Sequence, residues 1–464
     1  MKYRALRRPK VVLVPYPAQG HVTPMVQMAL ALRCQGFDPV IVIPDFIHRR
    51  ILSSSRLQQL QDDHGIVFMS IPSGLDKNEP LNFFTIGFAM ESNMPLHLEH
   101  IICRLSNGSD KEDGVVACVI VDLVASWAIE VANRCGVHVA GFWPAMLATY
   151  HLITSIPDMI KVGLIDDFGI PQHQGTGCFM PSQTLLTTAD LPWLVGNSAS
   201  QKSRFSFWIR ILDRLRALRW LLVNSFPEGY DSQKHKYHLI KGTQDYPHIF
   251  LIGPLTRHSG NKNLSFWEED RSCLNWLHEQ KTGSVIYVSF GSWVGPIGEE
   301  KINELALGLE ATRRPFIWVV APTWRKGLPM GYLERIAKQG SKLVSWAPQK
   351  ELLQHEAIGC YLTHCGWNST MEAIQCGRRL LCYPVSGDQF VNCKYIVKVW
   401  GIGVEMHGDG RRDVEDGVRR VMEEGEEMQQ RILEWKERVL GEKGSSGAAA
   451  TLTAFVDDLK RSII

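Results

Sequence analysis

The sequence predicts an α/β protein made of two doubly wound, largely parallel sheets, and three patterns support this prediction. Short, continuously apolar runs bounded by polar or Gly-containing turns have the length of buried parallel strands. Several of these runs are followed by apolar residues at i, i+3, i+4 and i+7, which is the spacing of an amphipathic helix. The strand–loop–helix pattern opens twice, near residues 11 and 284, and 464 residues are too many for one ordinary core.

Each half of the chain contains its own series of strands. In the first half, Thr23 and Pro24 are favoured helix N-cap and first-turn residues, so the first helix is expected to begin there, after a loop that contains His21. The strands of this half are predicted at 11–14, 38–43, 115–121 and 137–142. In the second half they are predicted at 284–289, 316–320, 343–345, 360–363 and 380–383.

His21 and Asp122 both follow predicted strands of the first half. Ligands of doubly wound folds bind beyond the carboxyl ends of the strands, so both side chains are candidates for a site. A single His is more often a capping or surface residue, and an Asp after a strand is more often an N-cap. The residues alone leave both interpretations open.

The composition excludes several classes of protein. Lys and Arg number 50 against 48 Asp and Glu, so no polycationic surface for nucleic acid is indicated. The 11 cysteines contain no C-x-x-C pair, which gives zinc or dithiol sites little support. No apolar run approaches the ~18 residues of a membrane-spanning helix. We expect a cytoplasmic monomer that neither binds nucleic acid nor inserts into membranes.

The segment 346–389 contains the densest set of residues suited to binding a ligand. Its strand at 360–363 ends in a Gly-containing turn and leads into a helix, so backbone N–H groups and the helix dipole would face a phosphate. Asn368 and Ser369 are short side chains that suit both helix capping and phosphate binding. Trp346 is suited to stacking on a base, and Glu372 to binding ribose hydroxyls.

This segment resembles the 44-residue signature box of the plant family 1 UDP-glycosyltransferases, and in particular the 82A subgroup. The matching motifs are WAPQ, H-x-A, THCGWNST-x-E and the closing DQ. The resemblance covers nearly the whole chain and implies the GT-B architecture, in which two Rossmann-like domains face each other across a cleft. It implies domains at 1–250 (acceptor-binding) and 271–445 (UDP-sugar-binding), a linker at 251–270, and a C-terminal helix at 446–464 that packs back on the first domain.

The resemblance also implies the roles of individual residues. PYPAQGHVTP and IVDLVASW match the family segments that carry the catalytic base and its partner, which favours His21 and Asp122 as a catalytic dyad. Acceptor contacts are expected from Met25, Trp143, Met146 and Trp193. Donor contacts are expected from Ser292, Trp346, Ala347, Pro348, Gln349, His364, Cys365, Gly366, Trp367, Asn368, Ser369, Thr370, Met371, Glu372, Ser386, Gly387, Asp388 and Gln389.

The implied reaction is inverting transfer of glucose from UDP-glucose to a hydroxyl of a small lipophilic acceptor, with no metal and no cofactor other than this co-substrate. Trp367 and Gln389 are the box residues that accompany glucose rather than glucuronate or galactose. Pro144 departs from the family, which often has Thr or Ser there. Arg378 and Arg379 stand where many relatives have Val-Pro, and we expect them to face solvent.

Three other functions are weighed against this one. An NAD(P)-dependent oxidoreductase needs G-x-G-x-x-G after the first strand, and PYPAQGH lacks it. A non-catalytic sugar-nucleotide binder would be expected to have lost His21 or Asp122. Use of another UDP-sugar, or of a nitrogen or thiol acceptor, is related in chemistry and stays open.

An aromatic-rich patch of Phe83, Phe84, Phe88 and Met90 is interpreted as core rather than as acceptor contact.

Overall fold

The computed structural model describes residues 8–52, 61–62, 65–75, 82–106, 115–173, 186–229, 239–240, 246–255, 265–292, 295, 297–408 and 410–463. Two separate sheets with helices on both faces form the α/β architecture that the sequence predicts. Both sheets lie inside the protein, and their apolar strands pack against the flanking helices.

The first sheet has the strand order β3-β2-β1-β4-β5-β6-β8-β7, and only β7 is antiparallel to its neighbour. The order reverses next to β1, so the loops after β1 and β4 lie side by side at the switch point of the sheet. Its strands are β1 (Lys10–Val14), β2 (Asp38–Pro44), β3 (Val67–Ile71), β4 (Val116–Asp122), β5 (Val139–Trp143), β6 (Trp220–Val223), β7 (Leu239–Ile240) and β8 (His248–Leu251).

The helices around this sheet differ from the prediction at one important place. The described helices are α1 (Gln19–Cys34), α2 (Asp45–Leu52), α3 (Phe83–Ser106), α4 (Trp127–Arg134), α5 (Leu147–Thr154), α6 (Ile156–Lys161) and α7 (Ser198–Leu215). Helix α1 begins at Gln19 rather than at Pro24, because the extended Ala18 already accepts hydrogen bonds from the backbone of His21 and Val22. His21 therefore lies in the first helical turn and not in a loop.

The second sheet is parallel throughout, with the order β11-β10-β9-β12-β13-β14. Its strands are β9 (Val285–Ser289), β10 (Phe316–Val319), β11 (Lys342–Val344), β12 (Ile358–Thr363), β13 (Leu380–Cys382) and β14 (Gly403–Glu405). The described helices of this half are α8 (Ser272–Leu277), α9 (Glu299–Ala311), α10 (Tyr332–Lys338), α11 (Gln349–Gln354), α12 (Trp367–Cys376), α13 (Gln389–Lys394), α14 (Arg411–Met422), α15 (Glu426–Leu440) and α16 (Glu442–Ile463).

Helix α16 packs on the first sheet although it follows the second one in the chain. Its apolar face shares a core cluster with strands of the first sheet, and the Phe455 ring lies edge-on to Trp220 at 5.9 Å between centroids. The helix begins at Glu442, four residues before the predicted 446. Gly444 lies against the carbonyl groups of Arg438 and Val439. Because Gly444 has no side chain, the start of α16 can contact the end of α15 closely. The boundaries of the predicted domains stay predictions, and residues 256–264 of the linker lie outside the described residues.

None of the described helices combines the length and the apolar character needed to cross a membrane.

The fully buried Phe455 gives a test of how much α16 contributes to stability. Phe455→Ala should lower the free energy of unfolding by about 3–5 kcal/mol, because it removes a large buried ring and leaves a cavity. Phe88→Ala is the matched control, since the Phe88 side chain is 74% exposed and its removal should change stability by less than ~0.5 kcal/mol. Urea denaturation followed by tryptophan fluorescence measures both. Equal losses in the two variants would contradict this packing.

Candidate active site

A cavity of about 390 Å³ lies between the carboxyl ends of the two sheets. The first half contributes residues that follow β1 and β5, and the second half contributes residues that follow β9, β11, β12 and β13. This is the position in which doubly wound folds bind ligands. Each sheet contributes residues from its own switch point, and these residues together line one cavity.

His21 and Asp122 form a hydrogen-bonded pair at this cavity. The Nδ1 atom of His21 lies 2.7 Å from Oδ2 of Asp122, whose side chain is fully buried. The same carboxylate accepts hydrogen bonds from the backbone N–H of Tyr16 at 3.3 Å and of Val124 at 3.0 Å. Asp122 therefore caps a turn and also contacts the imidazole of His21, while its role in a catalytic dyad stays a prediction.

The environment of His21 favours its protonated form. Burial alone would lower the pKa of His21, but the adjacent Asp122 carboxylate, through its charge and hydrogen bond, and the Asp388 charge raise this pKa above its ordinary value. Because Asp122 occupies Nδ1, the Nε2 atom is left for a ligand in the cavity. An imidazole with this arrangement can accept a proton and then be stabilised as imidazolium.

A backbone carbonyl beside His21 binds the opposite half of the protein. Pro24 has no N–H to donate to the carbonyl of Gly20 four residues earlier. The Nδ2 atom of Asn368 donates to that carbonyl instead, at 2.6 Å. Asn368 was predicted as a phosphate ligand, and the structure shows that its side-chain amide joins the two halves at the cavity wall.

The predicted phosphate turn is present at the start of α12. Gly366 is the extended N-cap residue, and Trp367, Asn368 and Ser369 form the first helical turn along the cavity. Their backbone N–H groups lie where a helix has unsatisfied donors, so this wall is suited to an anion. Gly291 and Ser292, after β9, line the cavity as well.

The side chain of Gln349 organises two of the predicted donor residues. Its Nε2 atom donates to Oγ of Ser369 at 3.1 Å and to Oε2 of Glu372 at 2.8 Å, while its Oε1 accepts from the hydroxyls of Tyr287 and Tyr361. Burial raises the pKa of Glu372, although the bond from Gln349 opposes this shift. Gln349 therefore positions the Glu372 carboxylate at the cavity, and binding of ribose hydroxyls by Glu372 stays a prediction.

Asp388 and Gln389 form the end of the cavity next to His21. The Oε1 atom of Gln389 accepts from the backbone N–H of Val385 and of Ser386, both at 2.9 Å, so its NH₂ group is left for a ligand. Asp388 accepts from Nδ2 of Asn392 at 3.0 Å, and burial raises its pKa. The other predicted residues that line the cavity are Trp143, Trp346, Ala347, Pro348, His364, Met371, Ser386 and Gly387.

Trp346 and Trp367 make fixed contacts that the sequence did not reveal. The Trp346 ring lies 4.7 Å from that of Trp267, and its indole N–H donates to Oγ of Ser265 at 2.8 Å. Trp367 is 3% exposed, and its indole N–H donates to the carbonyl of Asn224 in the first half at 2.8 Å. The ring of Trp367 thus joins the two halves, and its role in selecting the sugar stays a prediction.

Five predicted residues do not line the cavity. Met25, Met146 and Trp193 are fully buried in the first half, and the indole N–H of Trp193 donates to the carbonyl of Gly169. Their side chains pack in the core clusters on the two faces of the first sheet. Thr370 and Cys365 are fully buried as well. The remaining donor and acceptor predictions lie at the cavity.

Cys365 lies buried in the turn between β12 and α12. Its backbone has a φ of 65°, a conformation that is strained for any residue except glycine. Its thiol lies with those of Cys382 and Cys393, all within 4.8 Å of one another, and this is a group of potential metal ligands among the described residues.

Arg378 and Arg379 do not face solvent as expected. The Arg378 guanidinium donates to the carbonyl groups of Leu353 and Gln354 at the end of α11, and to that of Ile358 at the start of β12. The last carbonyls of a helix lack partners within the helix, which explains why a cation is held there rather than in water. Neither arginine lines the cavity.

The first half also contributes cavity residues that sequence reasoning missed. Arg204 and Trp208 lie one turn apart on α7, and Phe83, which was interpreted as core, lines the cavity too. A cation four residues before an aromatic residue on a helix is an observable pattern. It does not by itself show which face of the helix meets a cavity.

Comparisons with known proteins agree with this geometry. The family model described as UDP-glucoronosyl and UDP-glucosyl transferase matches residues 235–433. UDP-glycosyltransferase 82A1 of Arabidopsis thaliana is 47% identical over 98% of this chain and 100% of its own. This chain belongs to the plant family 1 UDP-glycosyltransferases. It is also 30% identical to the (R)-mandelonitrile beta-glucosyltransferase of Prunus dulcis, over 95% of each chain.

The GT-B fold of this UDP-glycosyltransferase is confirmed by solved structures. The structure of Medicago truncatula UGT71G1 complexed with UDP-glucose superposes with a TM-score of 0.79 and covers 98% of this chain and 99% of that one, at 23% sequence identity. The likeness extends over both sheets, so the cavity of this UDP-glycosyltransferase lies in the cleft of a complete GT-B fold.

The pair of His21 and Asp122 makes the pH dependence of the UDP-glycosyltransferase predictable. A base must be unprotonated, so kcat/KM should fall as the pH decreases through the raised pKa of His21. Asp122→Asn removes the carboxylate that raises this pKa, while burial continues to lower it. The acidic limb should therefore move to lower pH in the variant, and the plateau rate should fall. An unchanged acidic limb in pH–rate profiles of both proteins would show that His21 is not the titrating group.

Proposed function

We propose that this UDP-glycosyltransferase transfers glucose from UDP-glucose to a hydroxyl of a small lipophilic acceptor and inverts the anomeric carbon. The observation that carries the proposal is the 2.7 Å contact of His21 with Asp122, at a cavity whose opposite wall is the N-terminus of α12. One wall supplies a base and the other binds an anionic leaving group. Transfer from a sugar nucleotide requires both.

His21 acts as the general base in the proposed mechanism. Its Nε2 atom takes the proton of the acceptor hydroxyl while the oxygen attacks the anomeric carbon, and Asp122 stabilises the imidazolium that forms. The bond from the anomeric carbon to UDP breaks as the new bond forms. A single displacement converts the α-linked donor into a β-glucoside, and UDP leaves with the electron pair.

The leaving diphosphate is stabilised by dipoles in this proposal. Burial lowers the pKa of His364 to about 4, so this imidazole is neutral near pH 7 and supplies no positive charge. The negative charge that develops on UDP is instead met by the first-turn N–H groups of α12 and by Ser292. Because protein groups provide base and charge stabilisation, the proposal invokes no metal or other cofactor.

Glucose is the proposed sugar because of the groups at the end of the cavity. The Asp388 carboxylate can accept hydrogen bonds from hydroxyls, and the free NH₂ of Gln389 can donate one. A uronate would place a second carboxylate beside Asp388, which like-charge repulsion disfavours. The name of the Prunus dulcis relative, a beta-glucosyltransferase, supports the same sugar and a β-linked product. A cytoplasmic location and a monomeric state stay predictions.

His21→Ala tests the proposed base. Turnover of UDP-glucose with an accepted hydroxyl should fall by ~10²–10⁴, because general base catalysis is lost. Binding of UDP should remain nearly unchanged, since UDP is proposed to bind the second half. Calorimetric titration with UDP serves as the control for folding. Turnover equal to that of the wild type would remove His21 from the mechanism.

A donor panel tests the proposed sugar. The wild type should use UDP-glucose with a kcat/KM at least about tenfold above those of UDP-galactose and UDP-glucuronate. Gln389→Glu is the matched variant, because its carboxylate can still accept from Val385 and Ser386 but cannot donate to the sugar. It should lose kcat/KM for UDP-glucose by roughly 10–100-fold and retain UDP binding. A preference of the wild type for UDP-glucuronate would overturn the assignment.

A further inference from the structure

The acceptor end of the cavity is mainly aromatic but contains one arginine among its described residues. Tyr16, Phe83, Trp143 and Trp208 line this end. Neighbouring rings are in contact, with centroids 6.1 Å apart for Tyr16 and Phe83 and 6.2 Å apart for Trp143 and Trp208. Such a wall is complementary to a flat, rigid ring system.

Arg204 is held within this aromatic wall. It lies on α7 one turn before Trp208, and its guanidinium is 5.3 Å from the centroid of the Phe83 ring. The side chain is half-buried and lines the cavity. A guanidinium keeps its charge in proteins and offers five donors in a fixed plane, which matches the two oxygens of a carboxylate.

The charges at the cavity are divided between the two halves. Among the described lining residues, those from the first half include no Asp or Glu. The acidic lining residues are Glu269, in the predicted linker, and Glu351, Glu372 and Asp388 in the second half, which also contributes Lys350. Because no carboxylate from the first half lines it, the acceptor end can take a negative group in addition to the diphosphate, and Arg204 is placed to bind it.

We propose that Arg204 selects acceptors that carry a carboxylate, so that the substrate class is an aromatic hydroxy acid. This inference rests on the proposed transfer to a hydroxyl. The hydroxyl lies at Nε2 of His21 and the carboxylate lies at Arg204, with the acceptor ring between them along Tyr16 and Phe83. The Tyr16 ring is 5.3 Å from that of His21 and contacts Phe83, whose ring lies under Arg204.

This placement specifies which hydroxy acids should be accepted. The contacts run from His21 to Tyr16, from Tyr16 to Phe83 and from Phe83 to Arg204. The proposal therefore places the two groups of the acceptor at opposite ends of its ring system. 4-Hydroxycinnamate and 6-hydroxy-2-naphthoate have this arrangement. The product is an O-glucoside of the phenol, because the base takes the phenolic proton, and the carboxylate leaves unmodified.

The test compares each acid with its methyl ester as acceptor, using UDP-glucose and full-length enzyme. In the wild type, the acids should have a KM about 10–100-fold below those of the esters, the range of a charge-assisted hydrogen-bonded pair. Arg204→Met should raise the KM of the acids to that of the esters and leave the esters nearly unchanged. Arg204→Lys should give an intermediate KM, since it keeps the charge but loses the planar fork.

Arg210→Met is the matched control, because Arg210 lies on the same helix, is exposed and does not line the cavity. It should leave both acceptor types unchanged. Three outcomes would overturn the proposal. The wild type could show equal KM values for acid and ester, or Arg204→Met could affect both acceptor types equally. The product could also be a base-labile ester of glucose instead of a phenolic glucoside. Ester glucosylation without a preference for acids refutes only the role of Arg204. Failure to bind UDP and to transfer glucose to any acceptor refutes the proposed function itself.

Discussion

The hydrogen bond from Asn368 to the carbonyl of Gly20 is the contact on which the assembled site depends. The acceptor is available because Pro24 cannot close the helical hydrogen bond to that carbonyl. The donor stands in the first turn of α12, one residue after Trp367. This bond therefore directly connects the turn that is suited to phosphate with the helical turn that contains His21.

Aromatic packing supports this bond from behind. Phe226 follows β6 in the first half, and its ring lies about 6 Å from those of Trp367, Trp400 and Trp435 in the second half. The indole N–H of Trp400 donates to the carbonyl of Glu228. The Glu228 carboxylate in turn accepts from the backbone N–H groups that begin α5, and burial raises its pKa to about 7. The segment after β6 is thus the surface through which the first sheet contacts the second half.

The two halves of the chain contribute different charged and polar groups to the cavity. The second half lines the cavity with carboxylates and with the N-terminus of α12, while the first half lines it with the His21 imidazole and an aromatic wall. Asp122 is buried, does not line the cavity and contacts His21. Each half alone has only one of the two functions that group transfer needs, and the interdomain contacts bring them within one cavity.

The sequence by itself determined the two parallel sheets, most strand positions, the turn before α12 and the candidates His21 and Asp122, because apolar runs and motif spacing are local properties. It did not show β3, β14 or the long helix α3, whose patterns are short or irregular. Only the tertiary structure decided which side chains meet the cavity. It buried Met25 and Trp193, directed Arg378 to the end of α11, turned the Trp367 indole toward Asn224 and placed Arg204 in the aromatic wall. These outcomes depend on contacts between residues far apart in the chain, and no local pattern encodes which face of a helix meets the opposite half.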